Sequence, residues 1–120
     1  MKVCIPAESS SLDAAVDPRL ARAECFVLVD SDSRQMLTSI PNKQNKLVAA
    51  GAGVQATQTI AKSGAEAVVC ANAGPNAFRV LQAAGVSVYT GAAGTVAEAL
   101  TAFLDGKLEQ ADQANVQGHW

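Results

Sequence analysis

The stretch AVVCANAGPNAFRVLQAAGVSVYTGAAGTVAEALTAFLDG, residues 67–106, decides the fold class. It contains two short apolar runs that alternate with two segments of helical periodicity, and a glycine follows each of those segments. Thr95 and Glu98 have the spacing of a capping box, which marks the start of the second helix. The predicted strands and helices are, in order, residues 67–70, 75–84, 86–90 and 95–105. Because strands that alternate with helices pair in parallel, this stretch predicts an α/β fold.

The first half of the chain adds three strands and one helix to this pattern. Apolar runs predict strands at residues 2–6, 24–30 and 35–40, and the polar turn SDSR makes the last two a hairpin. A helix is expected from Gly51 up to the stop at Gly64. We expect the first strand to be parallel to the two later ones and the second to run against it. All three helices then begin at one edge of the sheet, which we call the upper edge.

Anions are the expected ligands of the upper edge. Each helix start exposes N–H groups without intrahelical partners, together with the positive end of the helix dipole. The residues at these starts are small, and the loops that reach the same edge carry arginine and lysine, with Lys46 in the same loop as Lys43. The candidate anion-binding residues are Arg19, Arg22, Lys43, Gly51, Ala52, Gly53, Asn72, Gly74, Asn76, Ala92, Ala93, Gly94 and Thr95.

The charges alone do not establish an anion site. The same loops contain Glu8, Asp13 and Asp17, and any single arginine or lysine there is as compatible with a solvated loop as with a ligand contact. Glycines also occur at turns that bind nothing. The anion hypothesis therefore rests on the convergence of several segments at one edge.

Composition limits the class of protein. The chain has 120 residues, the size of one domain, and its net charge of -2 predicts no global attraction to nucleic acid or to an anionic membrane. The N-terminus lacks the apolar stretch of a secretory signal, so we expect a cytoplasmic protein. Cys4, Cys25 and Cys70 are odd in number and lie outside any C-x-x-C pair. This pattern favours buried core thiols over disulfides or a protein-ligated metal.

Catalytic and nucleotide-binding motifs are weak or missing. The string GAGVQA, residues 51–56, matches a dinucleotide fingerprint but lacks the acidic residue required after the next strand. No G-K-[ST] follows a glycine loop, and the single histidine, His119, lies beside the last residue. We therefore expect a binding protein and not an enzyme. Two alternatives stay open: an enzyme or sensor that binds a phosphorylated ligand or nucleotide at the same helix starts, and an interaction module.

Strings distributed along nearly the whole chain resemble the dinitrogenase iron-molybdenum cofactor biosynthesis family. They are MKVCIP at residues 1–6, VDPRLARA at 16–23, GAGVQ at 51–55, ANAGPNA at 71–77, GTVAEA at 94–99 and ANVQGH at 114–119. The resemblance implies a three-layer α/β fold of the ribonuclease H-like type. In that fold, helices cover both faces of a mixed sheet of about five strands, in the order 3-2-1-4-5 with strand 2 antiparallel.

The resemblance also implies a ligand. Family members carry metal-sulfur clusters or cofactor precursors, and this sequence is most similar to the orange-protein branch of sulfate-reducing bacteria, which holds a molybdenum/copper sulfide cluster without covalent attachment. Many members have H-F-G-R-A where this chain has RLARA, residues 19–23. Arginine in place of that histidine puts direct ligation of an iron-molybdenum cofactor in doubt and suits a polyanionic thiometallate.

The resulting expectation is a single α/β domain, residues 1–106, followed by a polar tail without regular structure at residues 107–120. The domain is expected to hold a molybdenum/copper sulfide cluster non-covalently for storage, assembly or delivery. A carrier of an iron-molybdenum cofactor precursor is the alternative within the family. P-loop ATPases are possible assembly partners, and neither nucleic acid nor a membrane is expected as a partner.

Overall fold

A computed structural model describes residues 1–42 and 52–111, with only the backbone of residues 52–55. The strands and helices are β1 (Lys2–Ala7), β2 (Cys25–Asp30), β3 (Met36–Pro41), α1 (Ala52–Lys62), β4 (Ala67–Val69), α2 (Pro75–Ala83), β5 (Ser87–Thr90), α3 (Val96–Leu104) and β6 (Glu109–Gln110). Every strand and helix that the sequence predicts is present, and the predicted bounds differ from the observed ones by a residue or so at each end.

The sheet has the order β3-β2-β1-β4-β5-β6. β1, β4 and β5 are parallel, whereas β2 is antiparallel to β1 and to β3. The predicted order of the first five strands and the antiparallel direction of strand 2 are therefore confirmed. The ribonuclease H-like assignment stays a prediction.

The expectation of five strands and an irregular tail is wrong at Glu109–Gln110. These two residues form β6, which pairs antiparallel with β5 through Tyr89–Gln110 and Thr90–Glu109. The edge of β5 has backbone N–H and C=O groups that need partners, and β6 supplies them. Both residues of β6 are exposed and polar, so the strand has no apolar alternation by which the sequence could reveal it.

Two apolar clusters lie on opposite faces of the sheet. Phe26 and Leu28 of β2 point into the cluster covered by α1 and α2, while Val27 and Val29 point into the cluster covered by α3. The alternation follows from the two-residue period of a strand. Burial of each such side chain contributes about 1.5–3 kcal/mol, so both faces of β2 anchor the fold. We call the two sides the α1–α2 face and the α3 face.

The helix boundaries follow from local signals that the sequence shows. Gly85 and Gly106 adopt positive φ values of 78° and 72° just after α2 and α3, where the left-handed conformation ends a helix. The capping box of Thr95 and Glu98 is present with both of its hydrogen bonds. Within residues 1–42 and 52–111, every helix is too short or too polar to traverse a lipid bilayer.

Candidate functional site

The strand directions confirm the upper edge. β1, β4 and β5 end there at Ala7, Val69 and Thr90, and Ala7 pairs with Cys25, the first residue of β2. Cys25 in turn pairs with Pro41, the last residue of β3. Each helix must return the chain to the opposite edge before the next strand, so all three helices begin at the upper edge.

The helix starts are nevertheless divided between the two faces, because α1 and α2 lie on one side and α3 on the other. The connection between β1 and β2, residues 8–24, crosses the edge. Ala14 and Val16 belong to the cluster under α3, whereas Leu20 and Ala23 belong to the cluster under α1 and α2. The crossing carries residues 17–23, which we call the arginine loop, to the α1–α2 face.

The arginine loop is fixed to the end of the β2–β3 hairpin. The Asn42 side chain is 2% exposed, and its Nδ2 donates to the carbonyl oxygens of Ala21 and Ala23 at 3.0 and 2.9 Å. The Asn42 N–H donates to the carbonyl of Glu24 at 3.0 Å. Since Leu20 is fully buried as well, the loop is held from below by packing and from the side by hydrogen bonds.

Asp17 organises the start of the arginine loop. Its backbone N–H donates to the carbonyl of Pro6 at 3.0 Å, and its Oδ1 accepts from the Arg19 N–H at 3.0 Å and from Arg19 Nε at 3.4 Å. The Asp17 side chain is 1% exposed, while that of Arg19 is 52% exposed. Asp17 Oδ2 is buried and has no hydrogen-bond partner in the described part of the chain. The guanidinium is thus attached to the protein through Nε and reaches solvent with its terminal nitrogens.

The N-terminus of α2 lacks a side-chain cap. Gly74 is the N-cap residue and makes no side-chain hydrogen bond, and Pro75 has no N–H. The N–H of Phe78 is bonded to the Gly74 carbonyl at 3.0 Å. Among residues 1–42 and 52–111, the N–H groups of Asn76 and Ala77 have no hydrogen-bond acceptor. These groups are donors at the positive end of α2.

The start of α2 and the arginine loop belong to the same part of the molecule. Ala73 and Ala77, on either side of the helix start, are buried in one cluster with Leu20 and Ala21 of the arginine loop and Ala56 of α1. The arginine loop and the start of α2 therefore lie on the same face of the sheet at its upper edge, and a shared site formed by Arg19, Arg22, Gly74 and Asn76 stays a prediction.

The N-terminus of α3 is closed by the crossing loop. The N–H groups of Val96 and Ala97 donate to the carbonyls of Ala14 and Leu12, both at 2.9 Å. A backbone bridge between residues 15 and 95 completes the contact. The N–H groups that a helix start normally offers to a ligand are here bonded to carbonyls of the protein itself.

Thr95 is therefore a wrong prediction as an anion donor. Its N–H donates to Glu98 Oε1 at 2.9 Å, and its Oγ1 accepts from the Glu98 N–H at 3.1 Å. Ala92 is 5% exposed and its N–H is bonded to a carbonyl after β4. Ala93 and Gly94 are exposed at the upper edge, but they flank this closed terminus.

The remaining candidates are placed only in part. Outside the described residues lie Lys43, Lys46, Gly51, His119 and Trp120. Ala52 and Gly53 are the first two residues of α1, as predicted for a helix start at the upper edge. Asn72 and Arg22 are partly buried.

The thiols are core groups, as the sequence predicts. Cys4 and Cys70 lie in the cluster under α1 and α2, and Cys25 lies in the other cluster. Burial raises the pKa of Cys70 to about 12, and burial together with the neighbouring thiols raises the pKa of Cys4 further. The pKa of Cys25 is raised chiefly by burial. The described residues contain no group of three or more His, Cys, Asp or Glu that could hold a metal ion.

A shallow groove of about 240 Å³ lies away from the upper edge, between α2, β5 and β6. None of the described residues that line it carries a charge. They are Phe78, Gln82, Gly85, Val86, Ser87, Val88, Gln110 and Ala111. The groove therefore lacks the cationic groups that a polyanion requires.

Asp17 and Asn42 organise the arginine loop, and neither role was predicted from the sequence. For Asp17 a signal exists, because an aspartate before Pro18 and two positions before Arg19 favours a turn closed by its carboxylate. For Asn42 there is none, since its partners lie 19 and 21 residues away along the chain.

A family profile and several known proteins match this chain over nearly its whole length. The profile of the family described as dinitrogenase iron-molybdenum cofactor matches residues 1–106. The apo form of the orange protein from Desulfovibrio gigas is 38% identical with a TM-score of 0.91, over 96% of each chain. A Thermotoga protein described as NifB is 37% identical with a TM-score of 0.82, over 98% of each chain. An uncharacterised protein of Methanocaldococcus jannaschii is 28% identical over 111 residues, 92% of this chain and 91% of its own.

Proposed function

Because the chain belongs to the dinitrogenase iron-molybdenum cofactor family, we propose that it is a non-enzymatic cytoplasmic protein that binds an anionic metal-sulfide cluster non-covalently. Its similarity to the orange protein makes a molybdenum/copper sulfide cluster the specific ligand of the proposal. The binding surface is the α1–α2 face of the upper edge, and the role is storage, assembly or delivery of the cluster. P-loop ATPases are kept as proposed assembly partners.

The uncapped start of α2 beside the arginine loop is the observation that carries the proposal. The N–H groups of Asn76 and Ala77 lack acceptors among the described residues, and the terminal nitrogens of Arg19 reach solvent at the same edge and on the same face of the sheet. Hydrogen bonds from such donors to an ionised acceptor are worth about 1.5–3 kcal/mol each. A polyanion whose outer atoms are sulfides accepts several of them at once.

The chemistry of the donor set fits a sulfide-coated ligand better than a bare metal ion. A bare ion needs thiolates or carboxylates, and burial keeps the thiols of Cys4 and Cys70 protonated at neutral pH by raising their pKa. A cluster that brings its own sulfides needs only N–H and guanidinium donors. Gly74 has no side chain, and Asn76 at the start of α2 is exposed, so the N–H of Asn76 is the donor of α2 offered to such a bulky anion.

The test is reconstitution with tetrathiomolybdate and cuprous ion, followed by desalting, visible absorption and elemental analysis. We expect a coloured protein with stoichiometric molybdenum and copper, whose cluster is released at high salt because the contacts are electrostatic. Replacing Arg19 and Arg22 together by alanine should lower the affinity on the order of tenfold or more.

A matched control removes the same charge elsewhere. Arg34 and Lys62 are exposed and lie in the β2–β3 turn and at the end of α1, at the edge opposite to the site. Alanine at both positions should leave cluster binding unchanged. If both double variants lose the same cluster affinity, or if neither loses any, the arginine loop is not the site.

A phosphorylated ligand is the second candidate, because an uncapped helix start beside an arginine also suits phosphate. It is distinguished by thermal stabilisation. A colourless protein whose unfolding temperature rises with nucleotides or inorganic phosphate, and not with the thiometallate, supports the second candidate over the first.

A further inference from the structure

The two edges of the sheet differ in how well they are protected against pairing with a further strand. β6 is two residues long, exposed and polar, whereas β3 is a six-residue edge strand. The segment QMLTSIPN, residues 35–42, contains no charged side chain. Met36 and Leu37 are 39% and 52% exposed, and they are two of the four exposed large apolar residues in the described chain. Edge strands of monomeric proteins commonly carry lysine, an inward charge, a proline or a β-bulge that prevents pairing; β3 has no such charge, and its proline and its register shift lie near its ends.

The hydrogen bonds of the hairpin show which backbone groups of β3 face outward. The Asn42 N–H donates to the carbonyl of Glu24, its partner in the register. Bonded and non-bonded pairs alternate along an antiparallel ladder, so Ile40 and Thr38 also bond toward β2. The N–H and C=O groups of Ser39 then point away from β2. Pro41 has the same outward orientation, which explains why a residue without an N–H is tolerated there.

The irregular positions of β3 lie at its ends. The register shift opposite Leu28 and Val29 affects the strand near Leu37, and Pro41 terminates it. Residues 38–40 between them form a regular segment whose outer side pairs with no strand in the described part of the chain. This short segment is enough to set the register of an added strand, because Ser39 offers both a donor and an acceptor.

We propose that β3 pairs antiparallel with β3 of a second copy of this chain, about a two-fold axis at Thr38. In this register Thr38 lies opposite the Thr38 of the other copy, and the outward N–H and C=O of Ser39 meet Leu37 of the other copy, at the position where the pairing with β2 shifts register. Threonine pairs across strands are favourable, and no like charges meet because residues 35–42 are uncharged. Pairing of an edge with itself closes the assembly at two copies.

The opposite edge does not offer an alternative. β6 is shorter than the regular part of β3 and exposes Glu109, so head-to-tail pairing of β3 with β6 gives fewer backbone bonds and no closed assembly. Since the pairing reverses strand direction, the upper edges of the two copies point in opposite directions. The dimer therefore does not depend on the proposed cluster site, and each site stays complete within one chain.

Sedimentation or light scattering over a range of protein concentrations measures the mass directly. We expect a concentration-dependent species of twice the 12.3 kDa of the chain. Leu37→Lys places a charge on the exposed edge and should reduce the mass to that of one chain at concentrations where the wild type is dimeric. Leu104→Lys is the matched control, because Leu104 is 41% exposed at the end of α3, away from β3. It should stay dimeric.

Hydrogen exchange of single amides tests the register. The Ser39 amide should be protected in concentrated wild-type protein and exchange rapidly in the Leu37→Lys variant, whereas the Thr38 amide should be protected in both. A wild-type protein that keeps the mass of one chain at millimolar concentration overturns the proposal. So does a dimer in which Ser39 exchanges rapidly, or one that Leu37→Lys and Leu104→Lys disrupt equally.

Discussion

The buried carboxylate of Asp17 holds both the backbone and the side chain of Arg19, through its N–H at 3.0 Å and its Nε at 3.4 Å. The contact has two opposed consequences for an anion at the upper edge. It orders a long side chain whose rotamer freedom is worth up to about 2 kcal/mol, and it places a negative charge near the proposed ligand. Which consequence dominates is measurable.

The Asp17→Asn variant separates positioning from charge. Asparagine keeps an oxygen for the Arg19 N–H but loses the charge-assisted contact to Nε. We expect thiomolybdate affinity to fall severalfold although the variant is one charge more positive, because Arg19 must then be ordered on binding. Titrations at low and high salt measure the change. Tighter binding than wild type at low salt would mean that Asp17 acts only through its charge.

The Asn42→Ala variant tests what supports the arginine loop. It leaves the buried carbonyls of Ala21 and Ala23 without the Nδ2 donor, which should lower the free energy of unfolding by about 1–3 kcal/mol and speed amide exchange in residues 19–23. Urea denaturation and hydrogen exchange measure the two effects. The control is Asn76→Ala at the exposed start of α2, expected within about 0.5 kcal/mol of wild type. Equal stabilities of the two variants would contradict the supporting role of Asn42.

Local signals in the sequence predict most of the fold. Glycine stops, the Thr95 capping box and the alternation of β2 each depend on neighbours a few residues apart, so they can be recognised without coordinates. β6 could not be predicted, because a polar edge strand is specified by the vacancy beside β5 and not by its own residues.

The candidate site was predicted to a smaller extent. Topology placed all three helix starts at one edge, and the structure agrees. Their availability depends on which backbone groups the connection between β1 and β2 occupies. That connection bonds Val96 and Ala97 and so occupies the start of α3, while its other end packs on the face that α1 and α2 cover. Such long-range competition for hydrogen bonds leaves no periodic trace in the sequence.

Thr95→Ala tests whether the start of α3 is closed to ligands. Loss of the cap should lower the free energy of unfolding by about 1 kcal/mol, within a range of about 0.5–2. Cluster affinity should not change, because the N–H groups of Val96 and Ala97 stay bonded to carbonyls of the crossing loop. Thr95→Ser keeps the hydroxyl and is the control for stability. A loss of affinity in Thr95→Ala at temperatures where it is fully folded would return α3 to the binding surface.

Alkaline pH should destabilise the protein through its buried thiols. Cys70 has its pKa raised by burial to about 12, against an ordinary value of 9.0, and the pKa of Cys4 is raised by burial as well. Between these pH values the unfolded chain loses thiol protons that the folded chain retains, so unfolding becomes more favourable as pH rises from about 9. Each such thiol adds about 1.4 kcal/mol per pH unit in that window and nothing below it.

Urea denaturation of wild type and of Cys70→Ala at pH 8 and pH 10 measures this contribution. Cys70→Ala removes one titrating group, so its stability should decline less between the two pH values than that of the wild type, by up to about 1.4 kcal/mol. Lysine and tyrosine titration is common to both proteins and cancels in the comparison. Native protein at pH 8 should also leave Cys4 and Cys70 unmodified by thiol reagents that label all three cysteines after unfolding. Parallel declines of wild type and variant would contradict the buried, protonated state of the Cys70 thiol.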